Sequence, residues 1–183
     1  VLDVRRNMTV LDACSAPGTK TQEIAMFMQN EGEIIAQDIY EKRVQLIDHL
    51  MLKTGVSIVK TKVQDSSVLN EEYINKFDRV LLDAPCSGLG DLRHKPEIRF
   101  HLKPDNIDEL TSLQKKLLEV NGQYVKEGGI LVYSTCTLNK KENEKQIQTF
   151  LKNHSEYELI EEKTLFPYIE NSDGFYYAKM RRK

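Results

Sequence analysis

The stretch TVLDACSAPGTKTQE, residues 9–23, decides the fold of this chain. Thr9–Ala13 has the length and the apolar centre of a short buried strand. A tight turn containing Pro17 and Gly18 follows, and Gln22–Met28 then carries apolar side chains at helical spacing. A strand, a tight turn and a helix in this order form the first unit of an α/β sheet.

The same alternation of strand-like and helix-like stretches continues to the carboxyl end of the chain. We predict strands over Ile34–Ala36, Val56–Lys60, Arg79–Asp83 and Ile130–Ser134, helices over Glu41–Leu52 and Ile107–Tyr124, a helix that starts at Asn139 with a capping box to Glu142, and a closing strand pair within Tyr157–Met180. This pattern is typical of a mostly parallel sheet covered by helices.

Composition favours one compact globular domain. The chain has 183 residues, 40% of them hydrophobic and 30% charged, with a net charge of −2, which excludes disordered, collagen-like and coiled-coil chains. Its apolar runs are far shorter than the about 20 residues that span a bilayer, and no signal segment opens it, so we expect a cytoplasmic protein with no membrane partner. The first strand follows closely after Val1, and we expect a fragment of a longer protein.

Ligands of open α/β sheets bind beyond the carboxyl ends of the strands, near the point where the strand order reverses. The Pro17–Gly18 turn opens a helix whose free N–H groups suit an anionic group, although it is neither a P-loop nor a G-x-G-x-x-G motif. Asp38 follows the second strand, where a carboxylate commonly binds ribose hydroxyls. Asp65 follows the third strand, at the adenine end. A helix-capping role for Asp38 and a turn role for Asp65 remain open.

Three cysteines are present, Cys14, Cys86 and Cys136, and none belongs to a C-x-x-C pair. We therefore expect reduced thiols, with neither a disulfide framework nor a metal site. Cys86 follows the fourth predicted strand, which ends in Asp83, and Cys136 follows the fifth. A free cysteine usually packs as a small apolar side chain, but two of them at neighbouring strand ends indicate two thiols that face one crevice.

A basic segment stands out against the acidic net charge. Arg93, Lys95 and Arg99 are accompanied by His94, His101 and Lys103, against Glu97 as the one acid between Leu92 and Lys103. We predict that the first three contact RNA phosphates, with an ordinary solvated loop as the alternative.

Three motifs carry a family resemblance: DACSAPGTKT at residues 12–21, DAPCSG at 83–88 and GGILVYSTCTLNKKENE at 128–144. Together with DGFYYAKM at 173–180 they resemble the catalytic domain of the RsmB/Sun RNA (cytosine-5)-methyltransferases of the NOL1/NOP2/Sun group. The resemblance covers nearly the whole chain. The family implies a Rossmann-like class I methyltransferase fold, with a mostly parallel seven-stranded sheet and helices on both faces.

The same resemblance implies the roles of individual residues. The positions that bind S-adenosylmethionine in the family correspond to Cys14, Ser15, Ala16, Pro17, Gly18, Thr19, Lys20, Asp38, Asp65 and Asp83. Cys136 corresponds to the nucleophile, and Cys86 corresponds to the cysteine that helps to release the product. We expect residues 1–183 to be one catalytic domain, the C-terminal part of a longer protein, that acts as a monomer on cytosine in RNA, with 16S ribosomal RNA as the implied substrate. Asp91 departs from the family pattern by adding an acid to the basic segment.

The chemistry explains the need for two thiols. Carbon 5 of cytosine is a weak nucleophile, so a thiolate adds at carbon 6 and activates carbon 5, after which a base must remove the carbon 5 proton. Asp83 is placed to stabilise charge at the N3 edge of the base. We expect the pKa of both thiols to be lowered by a nearby lysine or arginine.

Three alternatives remain at this point. A nicotinamide-dependent dehydrogenase shares the turn and the following aspartate but lacks the glycine triplet. A non-catalytic RNA-binding scaffold shares the fold but gives no role to Cys86 and Cys136. The roles of the two thiols are also exchangeable on chemical grounds, because a Pro-Cys cysteine is the attacking residue of the DNA cytosine methyltransferases.

Overall fold

The computed structural model describes residues 1–101 and 103–183, apart from the side chain of His101, so that part of the predicted basic segment lies outside the description. The strands are β1 Thr9–Asp12, β2 Glu33–Asp38, β3 Val59–Val63, β4 Phe77–Asp83, β5 Val125–Thr135, β6 Tyr157–Leu165 and β7 Phe175–Arg182. The helices are α1 Thr19–Phe27, α2 Glu41–Thr54, α3 Ile98–His101, α4 Pro104–Gly122, α5 Glu144–Asn153 and α6 Pro167–Glu170, with a 3₁₀ turn at Glu71–Tyr73.

The seven strands form one sheet in the order β3-β2-β1-β4-β5-β7-β6. Neighbouring strands from β3 to β5 pair in parallel, whereas β7 is antiparallel to both β5 and β6. The strand order reverses between β1 and β4, which are the two central strands. This topology confirms the predicted α/β class with a mostly parallel seven-stranded sheet, and it places the ligand crevice above β1 and β4.

Apolar side chains cover both faces of the sheet, as expected for parallel strands that read as continuous apolar runs. Leu11, Leu82 and Leu131 lie on one face, packed with apolar side chains of α4 and α5. Val10 and Leu81 lie on the other face, which packs with residues of α1. Because successive residues of a strand point to opposite faces, the same strands anchor both helical layers.

Register brings the functional strand ends to one level. Asp12 of β1 pairs with Leu81 of β4, and Asp83 of β4 pairs with Ser134 of β5. The segments after β4 and β5 therefore leave the sheet side by side, and they carry Cys86 and Cys136. The predicted placement of the two cysteines at neighbouring strand ends is confirmed.

Two predicted strands begin three or more residues away from the predicted start. The third strand begins at Val59, not at Val56, because the N–H of Val56 bonds to the carbonyl of Met51 and closes helix α2 after the left-handed Gly55. The fifth strand begins at Val125, five residues earlier than predicted, with a register shift against β4 in its first half.

The predicted helix start at Asn139 is wrong. Residues 139–142 form a turn in which the N–H of Glu142 bonds to the carbonyl of Asn139, and helix α5 begins at Glu144 after Asn143. The Glu142 side chain is fully buried, so it does not close a capping box at the surface. Its carboxylate is instead bonded to the segment that follows β4.

No helix in the described part of the chain has both the length and the apolar character needed to cross a bilayer.

We predict that Leu82→Ala lowers the free energy of unfolding by about 2–5 kcal/mol, because Leu82 is fully buried in β4 and truncation leaves a cavity. The matched control is Leu52→Ala on α2, where the side chain is 82% exposed and the expected change is below about 0.5 kcal/mol. Urea unfolding of both variants measures the difference. Equal losses in the two variants would contradict the position of β4 at the centre of the core.

Candidate active site

A pocket of about 440 Å³ opens at the carboxyl ends of β1, β2 and β4. Its lining includes Asp38, Asp65, Asp83 and the two cysteines Cys86 and Cys136. The structure thus brings the predicted cofactor carboxylates and both predicted catalytic thiols to one cavity. This is the crevice expected at the reversal point of an open α/β sheet.

The turn after β1 borders a smaller cavity of about 130 Å³. Of the predicted turn residues it is lined by Cys14, Ser15, Ala16, Pro17, Thr19 and Lys20. Gly18 stands behind them with a φ of 105°, a conformation that disfavours any side chain, and a Cβ there would lie 3.2 Å from Ile47. The turn is held to β2 because the N–H and hydroxyl of Ser15 both donate to the carbonyl of Gln37.

Asp38 faces the pocket as a buried carboxylate. One of its oxygens lies 3.3 Å from the Arg43 guanidinium, and the other accepts the N–H of Tyr40 at 3.3 Å. Helix α2 has Tyr40 at its N-cap, so the helix-capping alternative for Asp38 is not what the structure shows. Asp65 does accept the N–H of Ser67 at 2.8 Å, as its turn role predicts, and it also lines the pocket.

Asp83 lies at the centre of the site. Its carboxylate forms an ion pair with Lys20, with Nζ and Oδ2 at 2.7 Å, and accepts the Ser134 hydroxyl at 2.7 Å. The predicted cofactor turn and the predicted catalytic strand end are therefore joined by a direct charge pair.

The sulfur atoms of Cys86 and Cys136 lie 3.2 Å apart. Cys136 is exposed to the crevice, and Cys86 is half-buried beside it. The hydrogen bond between them lowers the pKa of Cys136 to about 7, and the same bond, together with burial, raises the pKa of Cys86 far above its ordinary value. Near pH 7 the pair therefore passes from two thiols to one thiolate, which lies on Cys136 while Cys86 keeps its proton.

This charge distribution corrects one expectation. A nearby cation was expected to lower the pKa of both thiols, whereas the pKa of Cys136 falls chiefly because Cys86 donates a hydrogen bond and the pKa of Cys86 is raised. Four charged groups interact with Cys136. Asp83 and Asp91 oppose its ionisation, whereas Lys20 and Lys95 each have their own pKa raised in part by Cys136.

The family model for the 16S rRNA methyltransferases RsmB/F matches residues 1–181 of the chain. The chain belongs to this RsmB/F family. Membership confirms the predicted family, the methyltransferase fold and S-adenosylmethionine as the cofactor, and it removes the dehydrogenase alternative.

Known relatives agree with this assignment. This RsmB/F chain is 37% identical over 200 residues to the probable ribosomal RNA small subunit methyltransferase B of Bacillus subtilis and 36% identical over 194 residues to the ribosomal RNA small subunit methyltransferase B of Yersinia enterocolitica. All of the chain is covered in both cases, but only 45% and 44% of the relatives. The chain thus spans less than half the length of these curated relatives.

Among solved structures, the chain is similar to NSun6 from Pyrococcus horikoshii with the ligand SFG, with a TM-score of 0.90 and 30% sequence identity. The match covers 99% of this chain and 49% of the NSun6 chain. A second is a methyltransferase homologue from Pyrococcus horikoshii with a TM-score of 0.88 and 33% identity, covering 100% of this chain and 64% of its own.

Sequence reasoning missed Asp12 of this RsmB/F chain. Its carboxylate is buried at the end of β1, where Oδ2 accepts the Thr21 hydroxyl at 2.6 Å and Oδ1 has no partner among the described residues. Burial raises the pKa of Asp12 to about 7. The polar residue that ends the first strand was the available signal, and an unpartnered buried oxygen beside the small cavity indicates a hydrogen-bond donor on the ligand.

The basic segment lies beside the thiols. The N–H of Gly90 donates to the carbonyl of Cys136 at 2.9 Å, which ties the start of the segment to the site. Arg93 and Arg99 are exposed, whereas Lys95 is ion-paired with Asp91 at 2.7 Å. The lysine must therefore exchange a carboxylate for a phosphate if it binds RNA.

The pH dependence of thiol alkylation tests the ionisation of the pair. We predict that iodoacetamide alkylates Cys136 with a half-maximal rate near pH 7, because the reactive thiolate is present above that pKa, and that Cys86→Ala shifts the midpoint upward by removing the donor. Cys14 serves as the internal control, since burial raises its pKa and keeps it unreactive at neutral pH. Peptide mass spectrometry gives the rates. An unchanged Cys136 midpoint in Cys86→Ala, or faster labelling of Cys86 in the unmodified protein, would overturn the assignment.

Proposed function

We propose that this protein transfers a methyl group from S-adenosylmethionine to carbon 5 of a cytosine in RNA, with 16S ribosomal RNA as the substrate, through a covalent cysteine–cytosine adduct. The observation that carries the proposal is the thiolate–thiol pair, with its sulfurs 3.2 Å apart, at the end of the pocket that holds the cofactor carboxylates. A site for simple binding has no use for a nucleophile and a second thiol at that position.

The residues present suit the cofactor. Asp38 is buried at the distance from the glycine turn where ribose hydroxyls bind, and Asp65 borders the other end of the same pocket, for the adenine. The turn from Cys14 to Lys20 and the unpartnered oxygen of Asp12 suit the charged amino-acid end. SFG, the ligand in the NSun6 structure, is an analogue of this cofactor. When bound, S-adenosylmethionine supplies an electrophilic methyl group.

Cys136 performs the first step. Its thiolate forms a bond from Sγ to carbon 6 of cytosine, and the electron pair of the 5,6 double bond moves to make carbon 5 nucleophilic. A pKa of about 7 suits this role, because much of the thiol is ionised at neutral pH while the sulfur remains a good nucleophile. Carbon 5 then accepts the methyl group.

Cys86 performs the last step. Once the Cys136 sulfur is a thioether, Cys86 loses the acceptor whose hydrogen bond is the largest cause of its raised pKa. Cys86 can then release its own proton to solvent and remove the proton from carbon 5. The electron pair of that C–H bond restores the 5,6 double bond and breaks the bond from carbon 6 to Cys136, which leaves as a thiolate.

Asp83 faces the Watson–Crick edge of the base in this scheme. Held by Lys20 and Ser134, its carboxylate accepts a hydrogen bond from the N4 amino group of cytosine, and a proton taken up from solvent between Asp83 and N3 neutralises the negative charge that thiolate addition delocalises onto N3. The two fixed partners hold the orientation of the carboxylate before the substrate arrives.

The basic segment supplies the RNA contacts. We assign Arg93, Lys95 and Arg99 to phosphates, and the exposed Phe100 ring, with the Arg99 guanidinium 5.0 Å from its centroid, suits stacking on an unpaired base. We also propose that the protein acts in the cytoplasm, where it meets ribosomal RNA, and that it acts as a monomer. We assign no metal to the nearby cluster of Asp91, His94 and Asp173, because Lys95 already pairs with Asp91 and His94 with Asp173.

Removing either thiol separates their roles. We predict that Cys86→Ala accumulates a protein–RNA adduct, because addition and methyl transfer proceed while removal of the carbon 5 proton stalls, and that Cys136→Ala forms none. A denaturing gel with RNA and S-adenosylmethionine at pH 8.5 compensates for the raised pKa of Cys136 in the first variant. The reverse pattern would make the Pro-Cys cysteine the nucleophile. Adducts from neither variant would leave the scaffold alternative standing.

Salt dependence tests the RNA contacts. Replacing Arg93, Lys95 and Arg99 by alanine is expected to make the negative slope of log affinity against log salt shallower, by roughly 0.7 for each lost phosphate contact on single-stranded RNA. The matched control replaces the exposed Lys42, Lys53 and Lys152 on α2 and α5 and keeps the original slope. Equal slopes for both triple variants would show that the segment is an ordinary solvated loop.

A further inference from the structure

Glu142 is the most unusual charged group outside the catalytic pocket. Its side chain is fully buried, and no salt bridge to it is found among the described residues. A buried carboxylate without a cation must be stabilised by hydrogen-bond donors. Four donors converge on Glu142: the N–H and hydroxyl of Ser87 at 2.8 and 2.6 Å, Gln114 at 3.1 Å and Asn139 at 3.2 Å.

Ser87 and Thr137 directly follow the two thiols in the chain. The Ser87 N–H belongs to the peptide bond that joins Ser87 to Cys86, and Thr137 is bonded to Cys136 in the same way. The two hydroxyls lie 2.9 Å apart. Because Ser87 uses its hydroxyl proton on Glu142, the Thr137 hydroxyl donates to Ser87, which makes a chain from the Cys136 side through the Cys86 side to the carboxylate.

The neighbour of Glu142 holds the other side of the Cys136 turn. Asn143 is fully buried, accepts the Thr135 hydroxyl at 2.6 Å and donates to the Thr137 carbonyl at 2.9 Å. Glu142 is itself anchored, because its carbonyl accepts the Tyr133 hydroxyl at 2.6 Å. The segment before α5 is thus hydrogen-bonded to both thiol-bearing turns. Among the described residues, the Glu142 carboxylate is the one charged group in the hydrogen-bond network between these two turns.

We propose that Glu142 is a positioning residue that holds the turns of Cys86 and Cys136 together through Ser87 and Thr137, and so sets the contact between the two sulfurs. The inference rests on the proposed function for its biological meaning, since the thiol pair performs that reaction. Glu142 does not touch the substrate pocket, whose lining does not include it.

Glu142→Gln tests the proposal because it keeps the size of the side chain. Its amide nitrogen replaces one acceptor, and no rotamer accepts from the Ser87 N–H, the Ser87 hydroxyl, Gln114 and Asn139 together. The contact between the sulfurs is expected to loosen. Cys136 then loses its donor, and the midpoint of its alkylation by iodoacetamide moves up by about one pH unit or more toward the ordinary thiol value, which lowers the rate at pH 7 about fivefold or more.

The direction of this shift separates positioning from other roles. Removal of a negative charge near Cys136 would by itself lower the pKa of the thiol, so a charge effect moves the midpoint down. A role in stability alone changes the melting temperature and leaves the midpoint where it was. The matched control is Glu144→Gln, two residues away. Within the described residues, the Glu144 side chain forms no hydrogen bond to either thiol-bearing turn.

A second variant covers the case in which Glu142→Gln does not fold. Ser87→Ala removes the hydroxyl link but keeps the backbone N–H, and the same upward shift of the Cys136 midpoint is expected. An unchanged or lowered midpoint in the folded variants overturns the proposal. Alkylation needs no RNA and no cofactor, so this result is independent of methyl transfer. An absence of methyltransferase activity in the unmodified protein would count only against the proposed function.

Discussion

The contact between the sulfurs of Cys86 and Cys136 is the interaction on which the chemistry of this structure depends. At 3.2 Å the thiol of Cys86 can donate to the sulfur of Cys136, so that Cys136 ionises near neutral pH and becomes a nucleophile while Cys86 stays protonated. No cation has to be buried beside the nucleophile. Since the ionisation of each sulfur depends on the state of the other, the same pair suits a reaction that needs a nucleophile first and a base later.

The fold supplies this contact through strand register. Asp83 pairs with Ser134, so the turns after β4 and β5 start at the same level and their cysteines meet above the sheet. A second close contact lies beside the thiols, between Gly90 and Gly174, where a Cβ on Gly90 would lie 1.9 Å from the carbonyl oxygen of Gly174. Glycine at position 90 lets the loop after Cys86 lie directly against the loop before β7. The N–H of Gly90 donates a hydrogen bond to the carbonyl of Cys136.

Much of the architecture follows from periodicity and turn chemistry in the sequence. The central strands, the helix α2 that ends at Gly55, the closing strand pair and the positions of Asp38, Asp83 and both cysteines at strand ends are all deduced from local patterns. The family resemblance then supplied the chemical roles. These features are predictable because each depends on residues close together in the chain.

What escaped prediction depends on contacts between distant segments. Asn139 and Glu142 have the spacing of a capping box, but Glu142 turns inward to Ser87, 55 residues away, and a local pattern cannot show that. The pKa of Cys136 likewise depends chiefly on a thiol 50 residues away, more than on a neighbouring cation. Asp12 was missed because its significance lies in an unpartnered buried oxygen, which only the packed structure reveals.

The central claim, that Cys136 adds to carbon 6 of cytosine before carbon 5 is methylated, is tested most directly with RNA in which the target cytidine carries fluorine at carbon 5. Fluorine cannot leave as a cation, so the final elimination is blocked and the unmodified protein remains attached to the RNA. After digestion, peptide mass spectrometry locates the attachment. We predict an RNA fragment on the Cys136 peptide that carries one additional methyl group when S-adenosylmethionine is present. Attachment to Cys86, or no attachment to an RNA that is methylated in its unfluorinated form, would contradict the account.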